Sequence, residues 1–242
     1  MQTVEKGKLT VAAYDYPPFT ITSADGTFSG IDPKILMRVA SENCLEVVTL
    51  VTDPAATIQA VVSGKADVAI GSWNRTAKRA AVLNMSAPIY LDFMGLYSKD
   101  GVDTIDALVG KNVGTVTGYF WVPDLQKLLG AHLKLYPTAV AMAQDLQVGR
   151  IDVAVNGYNA GTYIQRNSGG CKGIVTNKAQ SDDRIQASVL PPANRLIPKE
   201  TTVSVWQSIA ASSFNARTEP SSKLWRRPAL TRPWRMSASH GS

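Results

Sequence analysis

Apolar positions in the first 95 residues fall into two alternating rhythms. The runs LTVAAY (9–14), LEVVTLV (45–51) and ADVAIG (66–71) have the length and the apolar, β-branched content of buried strands, the last closing at Gly71. Between them, DPKILMRVASENC sets Ile35, Leu36, Val39 and Ala40 at helical spacing, and TIQAVVSG predicts a second helix. Short strands joined by helices predict βαβ units and a parallel sheet. A second series starts at KNVGTVTG, with a strand over 112–116, a helix near 121–130, the strand HLKLY, the helix AVAMAQDLQVG and the strand DVAVN. The order helix, Gly-Lys or Gly-Arg, one residue, Asp, apolar strand occurs twice, as SGKADVAIG and VGRIDVAVN. An internal repeat of this kind predicts two similar α/β lobes.

Each lobe places loops at the carboxyl ends of its strands: YDYPPF and GSWNRT in the first, TGYFW and NGYNAG in the second. Ligands of open α/β sheets bind outside those strand ends. The loops are rich in Tyr, Trp, Phe, Asn and Ser, which suits a small organic ligand in a cleft between the lobes. The plainer alternative is that these aromatics only seal the tops of the lobes.

Composition and charge remove several function classes. The 242 residues are 45% hydrophobic and 18% charged, ordinary values that exclude a disordered chain, a collagen and a disulfide-dense scaffold. No apolar run approaches the roughly 18–20 residues of a membrane-spanning helix, and the N-terminal stretch lacks the apolar core of a signal peptide. The net charge of +6 is concentrated in residues 217–242, which hold six basic residues against Glu219 alone. The rest of the chain is close to neutral, so a nucleic-acid reading would rest on the tail, which shows no pattern for base stacking. Cys44 and Cys171 are compatible with two free thiols or one bridge. With only His132 and His240, and no Cys/His spacing, no metal or other cofactor is expected.

In chain order, YPPF, DGTFSGID, SGKADVAIGS, TAKRAAVLNMSAPIY, VGTVTG and GRIDVAV resemble the family 3 extracellular solute-binding proteins, the periplasmic amino-acid-type binding components of ABC importers. The resemblance covers roughly residues 7–210. It implies an α/β chain with the two-lobed type II periplasmic-binding-protein fold, two hinge crossings near 94–98 and 189–193, and a ligand cleft between the lobes. The implied organisation is a first lobe from 1–94, a second lobe from 95–192, a return segment at 193–216 and an atypical basic tail at 217–242. It further implies a monomeric, non-enzymatic receptor, periplasmic or tethered outside the membrane. That receptor would bind a small carboxylate-bearing molecule and deliver it to the membrane subunits of an ABC importer.

The same resemblance assigns candidate ligand residues. Thr76 and Arg79 match the T-x-x-R turn whose Arg grips the ligand carboxylate, a role that suits the bidentate guanidinium fork; Arg75 or Lys78 would serve as solvated helix-start cations. Gly71, Ser72 and Asn74 fall around that carboxylate, and Tyr16 matches a stacking aromatic, with Phe19 assigned to the core. Pro54 stands where many relatives carry a second aromatic, a gap Trp73 would fill unless it is surface packing. In the second lobe the candidates are Gly118, Tyr119, Phe120, Asn156 and Tyr158.

Two departures from the pattern shape the expected ligand. Amino-acid binders place an Asp after the G-[KR]-x-D strand to hold the α-ammonium, whereas the aligned position here is Gly157, with no acidic residue between Asp152 and Asp182. Burying an ammonium without a carboxylate is costly. An ordinary L-α-amino acid is therefore not expected, and a carboxylate with apolar, aromatic or amide character, such as an opine-like or cyclic acid, is. A cyclohexadienyl-dehydratase-like enzyme is the main alternative on this fold; it would draw on Asp15, with Asp32 read as structural. A sensory domain of a larger receptor is the other. Finally, ARTEPSSKLWRRPALTRPWRMSASHGS lacks the periodicity of the helices that end such proteins, and permissible codons read in another frame give a family-like string. The tail is therefore expected to come from a shifted reading frame or a vector, against the alternative of a natural basic tail.

Overall fold

The computed structural model describes residues 3–23, 28–168, 170–189 and 192–198. The basic tail, and residues 25–27 of DGTFSGID, lie outside the described residues. The elements run β1 (Lys8–Ala13), β2 (Ile21–Thr22), β3 (Phe28–Ser29), α1 (Ile31–Glu42), β4 (Glu46–Val51), α2 (Pro54–Val62), β5 (Val68–Asn74), α3 (Ala77–Val82), β6 (Leu83–Met85) and β7 (Tyr90–Leu91). They continue with β8 (Met94–Ser98), β9 (Val113–Val116), α4 (Val122–Leu129), β10 (Leu133–Tyr136), α5 (Ala139–Gln147), β11 (Val153–Gly157), α6 (Tyr158–Ser168), β12 (Val175–Lys178), α7 (Gln186–Val189) and β13 (Pro192–Pro198).

Beside a small antiparallel pair, β2-β3, the described residues form two larger sheets that share a design. The first has the order β4-β1-β5-β13-β6, with β7 also pairing β13; the second has the order β10-β9-β11-β8-β12. In each, three parallel strands (β4-β1-β5, β10-β9-β11) are followed by an antiparallel one, β13 against β5 and β8 against β11. Successive residues of β1 face opposite sides, as strand geometry requires. Val11 and Ala13 join Leu36, Val39 and Ala40 under α1. Ala12 joins the larger core, which also contains Tyr14, Trp73, Tyr119, Leu96 and Val155.

The repeated SGKAD and VGRID segments perform one local task twice. Gly64 and Gly149 sit just past α2 and α5 with φ of 69° and 77°, the left-handed conformation that ends a helix at little steric cost. The next backbone amides, of Lys65 and Arg150, turn back 2.8 Å to Ala60 O and Asp145 O. Each Asp then fixes the start of a neighbouring strand: Asp67 accepts from the amide of Thr10 at 2.7 Å, and Asp152 from that of Asn112 at 2.8 Å. Both preceding helices carry polar N-caps, Asp53 accepting from Ala56 N and Thr138 from Ala141 N.

Three sequence expectations shift. β5 does not close at Gly71 but continues through Ser72 and Trp73 to Asn74, because β13 pairs with Trp73 and Asn74. α2 begins at Pro54 rather than Thr57, since Asp53 caps it and Pro is favoured in a helix's first turn. The first crossing lies at residues 92–93: β7 is paired with β13, while Met94 already pairs Gly157 in the second sheet. The return follows α7, before β13. Cys44 is exposed and Cys171 half-buried, both free thiols, which closes the bridge alternative.

Candidate functional site

The YDYPPF loop turns tightly, with Phe19 N and Thr20 N both donating to Tyr16 O at 3.0 Å. This aims Tyr14, Tyr16 and Phe19 inward, all buried. Tyr14 donates its hydroxyl to Gly71 O at 2.5 Å, which fixes its ring beside Trp73 at 5.2 Å between centroids. From the second sheet, the turn after β9 brings Tyr119 to 6.3 Å from Tyr14 and 6.1 Å from Tyr16, backed by Trp121 at 5.1 Å. Trp121 is itself held by its indole N–H to Thr115 Oγ1 at 2.8 Å. These rings, with Ser72, Asn74, Arg79 and Phe120, enclose a space of only about 20 Å³.

Arg79 lies in α3, whose start Thr76 caps by accepting from Arg79 N at 3.2 Å. Its guanidinium is 5.0 Å from the Trp73 ring centroid and 5.9 Å from that of Phe120, cation–π distances. It donates to Asn74 O at 3.0 Å and, across the junction, to Gly118 O at 3.3 Å. Among the described residues no carboxylate pairs with it. Burial between the rings lowers its pKa to about 10, with Tyr14 acting in the opposite sense. Beside it, the buried indole nitrogen of Trp73 has no hydrogen-bond partner among the described residues.

Asp92 is the residue that sequence reasoning missed. It sits at the crossing between the sheets, 5% exposed. Its Oδ2 accepts from Tyr16 and Ser72 hydroxyls, both at 3.0 Å, and its Oδ1 from the amides of Phe93 at 3.0 Å and Asn159 at 3.5 Å. Burial pushes its pKa up, while the hydrogen bonds from Tyr16 and Ser72 resist. It also lies beside Gly157, where a β-carbon would fall 2.9 Å from Asp92 Oδ2. The second lobe lacks the expected acid, and the crossing segment between β7 and β8 places the Asp92 carboxylate beside position 157. An isolated Asp within the apolar stretch PIYLDFMGLY was the available signal.

The candidates therefore divide. Tyr16, Ser72, Trp73, Asn74, Arg79, Tyr119 and Phe120 come together around the small cavity, and Gly71 and Gly118 contribute carbonyls to Tyr14 and Arg79. Trp73 is 2% exposed, so it is not surface packing. Asn156 instead lines an adjoining, larger cavity of about 720 Å³, its side chain engaged with Gly157 N at 2.9 Å. That cavity begins at Tyr14, Asp15, Tyr16 and Pro54 and runs between α5 and α6 along apolar Met142, Leu146, Ile164 and Ile174. Tyr158 lines neither cavity; its amide donates to Phe93 O at 2.8 Å. Tyr14 and Trp121 join the cluster unannounced. Of the acids weighed for an enzyme, Asp15 is exposed and accepts from Thr22 N, and Asp32 is buried and accepts from Tyr90 and Gly71 N.

Residues 9–113 match the bacterial extracellular solute-binding proteins, family 3. The chain is 28% identical over 154 residues to the L-cystine-binding protein TcyJ of Escherichia coli K12, covering 61% of this chain and 58% of that one. Over 109 residues it is 28% identical to a protein of Campylobacter jejuni named as a probable histidine-binding protein, covering 44% and 42%. It thus spans about half the length of these curated relatives. Among solved structures, the substrate binding protein of an amino acid ABC transporter superposes with a TM-score of 0.75 at 19% identity, covering 86% of this chain and 92% of that one. An ancestral arginine-binding protein bound to arginine gives 0.74 at 21% identity, covering 86% and 91%. The chain is therefore similar in sequence to the family 3 extracellular solute-binding proteins, and its α/β fold is the type II fold of periplasmic binding proteins.

Proposed function

We propose that this protein is a two-lobed receptor for a small carboxylate-bearing solute of amino-acid type, which it hands to the membrane subunits of an ABC importer. The observation that carries the reading is Arg79: a guanidinium between Trp73 and Phe120, bonded among the described residues only to main-chain carbonyls, at the junction of two α/β sheets. A carboxylate is the group that such a fork pairs with best. In this assignment Ser72, Asn74 and the unpartnered Trp73 indole N–H surround the carboxylate. Tyr16 and Tyr119 cover the body of the ligand, and the apolar cavity beside Asn156 receives its side chain. Residues 1–94 with the return strand form one lobe and 95–192 the other, closing about residues 92–93 and the segment before β13. The names of the relatives and fold neighbours, binders of cystine, histidine and arginine, support the solute class.

Work outside the cytoplasmic membrane follows from this role, and among the described residues no helix is long and apolar enough to cross a membrane. The space of about 20 Å³ at Arg79 means that the lobes must part before a solute enters. Small-angle scattering with and without saturating ligand should show a monomer that compacts on binding. Identical profiles, or catalytic turnover of prephenate or arogenate, would count against the receptor reading.

A further inference from the structure

We propose that Asp92 is the anionic half of the binding site and receives the ammonium group of the ligand, so that the solute is a compact zwitterion rather than a simple carboxylic acid. This rests on the assignment of Arg79 to the ligand carboxylate. Among the described residues Asp92 has no ion-pair partner, although it is nearly sealed from solvent. A carboxylate in that position loses its hydration, and neutral donors replace it only in part. A cation within reach would relieve that loss. Arg79 is the mirror case, a partly buried cation without an anion. The two charges do not meet.

What lies between them is organised on one strand. Ser72 of β5 donates to Asp92, and two residues along the same strand the carbonyl of Asn74 accepts from Arg79. Ser72, with a left-handed φ of 58°, and Asn74 both line the small cavity, so the groups that hold Asp92 and Arg79 border one space. A small ligand that carries its own opposite charges close together would bridge them. Tyr14, Tyr16 and Tyr119 wall this interval, each kept neutral by burial, so the formal charges at its two ends are those of Asp92 and Arg79. Gly157 completes the geometry. Its missing side chain leaves room for the Tyr16 hydroxyl and the Asp92 carboxylate, and a β-carbon there would meet both. The absence of an acid at position 157 thus moves the ammonium site to the crossing. On this proposal an amino acid would be accepted, against the expectation drawn from position 157.

The test uses the intact protein and pairs of probes that differ only in the amine: L-leucine with 4-methylpentanoate, L-phenylalanine with 3-phenylpropanoate, and so through the common L-amino acids. Calorimetry should find at least one amino acid binding ten times or more tightly than its amine-free partner. In Asp92→Asn, which keeps size and hydrogen-bonding capacity, that preference should collapse to within about threefold, with the amine-free acid little changed. Amine-free acids binding as well as their amino acids to the unmodified protein would overturn the role of Asp92 while leaving Arg79 its carboxylate. A preference that survives in a folded Asp92→Asn would do the same. If no carboxylate of either kind binds, the receptor reading falls and this inference with it. The comparison within the unmodified protein decides the matter even if the variant fails to fold.

Discussion

A β-carbon placed on Gly157 would lie 1.8 Å from the hydroxyl oxygen of Tyr16. The two residues come from different sheets, so this approach is one of the points at which the halves of the protein are fitted together. Gly157→Ala should therefore force Tyr16 off Asp92 and strain the junction, costing about 1–3 kcal/mol in overpacking. Chemical denaturation would measure it; a stability unchanged from the unmodified protein would mean that the halves do not hold this contact in solution.

Arg79→Ala should behave oppositely. Among the described residues its guanidinium bonds only main-chain carbonyls, so thermal unfolding should move little, whereas affinity for a carboxylate solute should fall by at least ~2 kcal/mol. Retained affinity would return Arg79 to a purely structural role.

The lowered pKa of Arg79 sets a pH window. A carboxylate binds the charged guanidinium, so affinity for an amine-free acid, which has no ammonium to lose in this range, should be flat through neutral pH and then fall about tenfold per pH unit once pH exceeds the ligand-free value of about 10. Tyr14, Tyr16 and Tyr119 are pushed up by burial and stay neutral over the start of that window. Calorimetry from pH 7 to 10.5, with circular dichroism to verify the fold, would check it. A decline beginning near pH 8 would point to another group.

Where α5 packs beside β10, Asp145 accepts from Lys134 Nζ at 2.5 Å, the Tyr136 hydroxyl at 2.7 Å and Arg150 at 3.0 Å. Lys134 and Tyr136 hold its pKa well below the usual carboxylate range. A depressed folded-state pKa contributes stability that is present above the unfolded value of about 3.9 and is lost as pH falls below it. Asp145→Asn should therefore melt lower than the unmodified protein at pH 7, and the gap should narrow at pH 3. A gap independent of pH would assign the effect to geometry rather than charge.

The architecture was legible because it is written locally. Alternating apolar runs and the SGKAD and VGRID signals act within a few residues of themselves, and the strands and helices appear where those patterns lie. Boundaries moved where a distant partner intervened, as when β13 extends β5 past Gly71. The grouping of Ser72, Trp73, Asn74 and Arg79 was legible for the same reason as the fold, since they form one continuous segment. Asp92 was not, because its meaning arises from Tyr16, Ser72 and Asn159, which lie 76, 20 and 67 residues away along the chain. That the Asp92 carboxylate lies beside position 157 could not be read from the second lobe alone.

The bonds from Arg79 to Asn74 O and Gly118 O also bear on how tightly any solute can be held. With the halves together, the guanidinium already has two oxygen acceptors, one from each sheet. On the role proposed for Arg79, these oxygens stand in for the ligand. A solute carboxylate would then gain only the difference between its contacts and those it displaces, and a shut ligand-free form would compete with an open one. Measured affinity is scaled by the fraction of molecules that stand open. A change that weakens the Gly118 contact without touching the solute, such as a shift of the turn on which Gly118 lies, would therefore raise affinity by enlarging the open population.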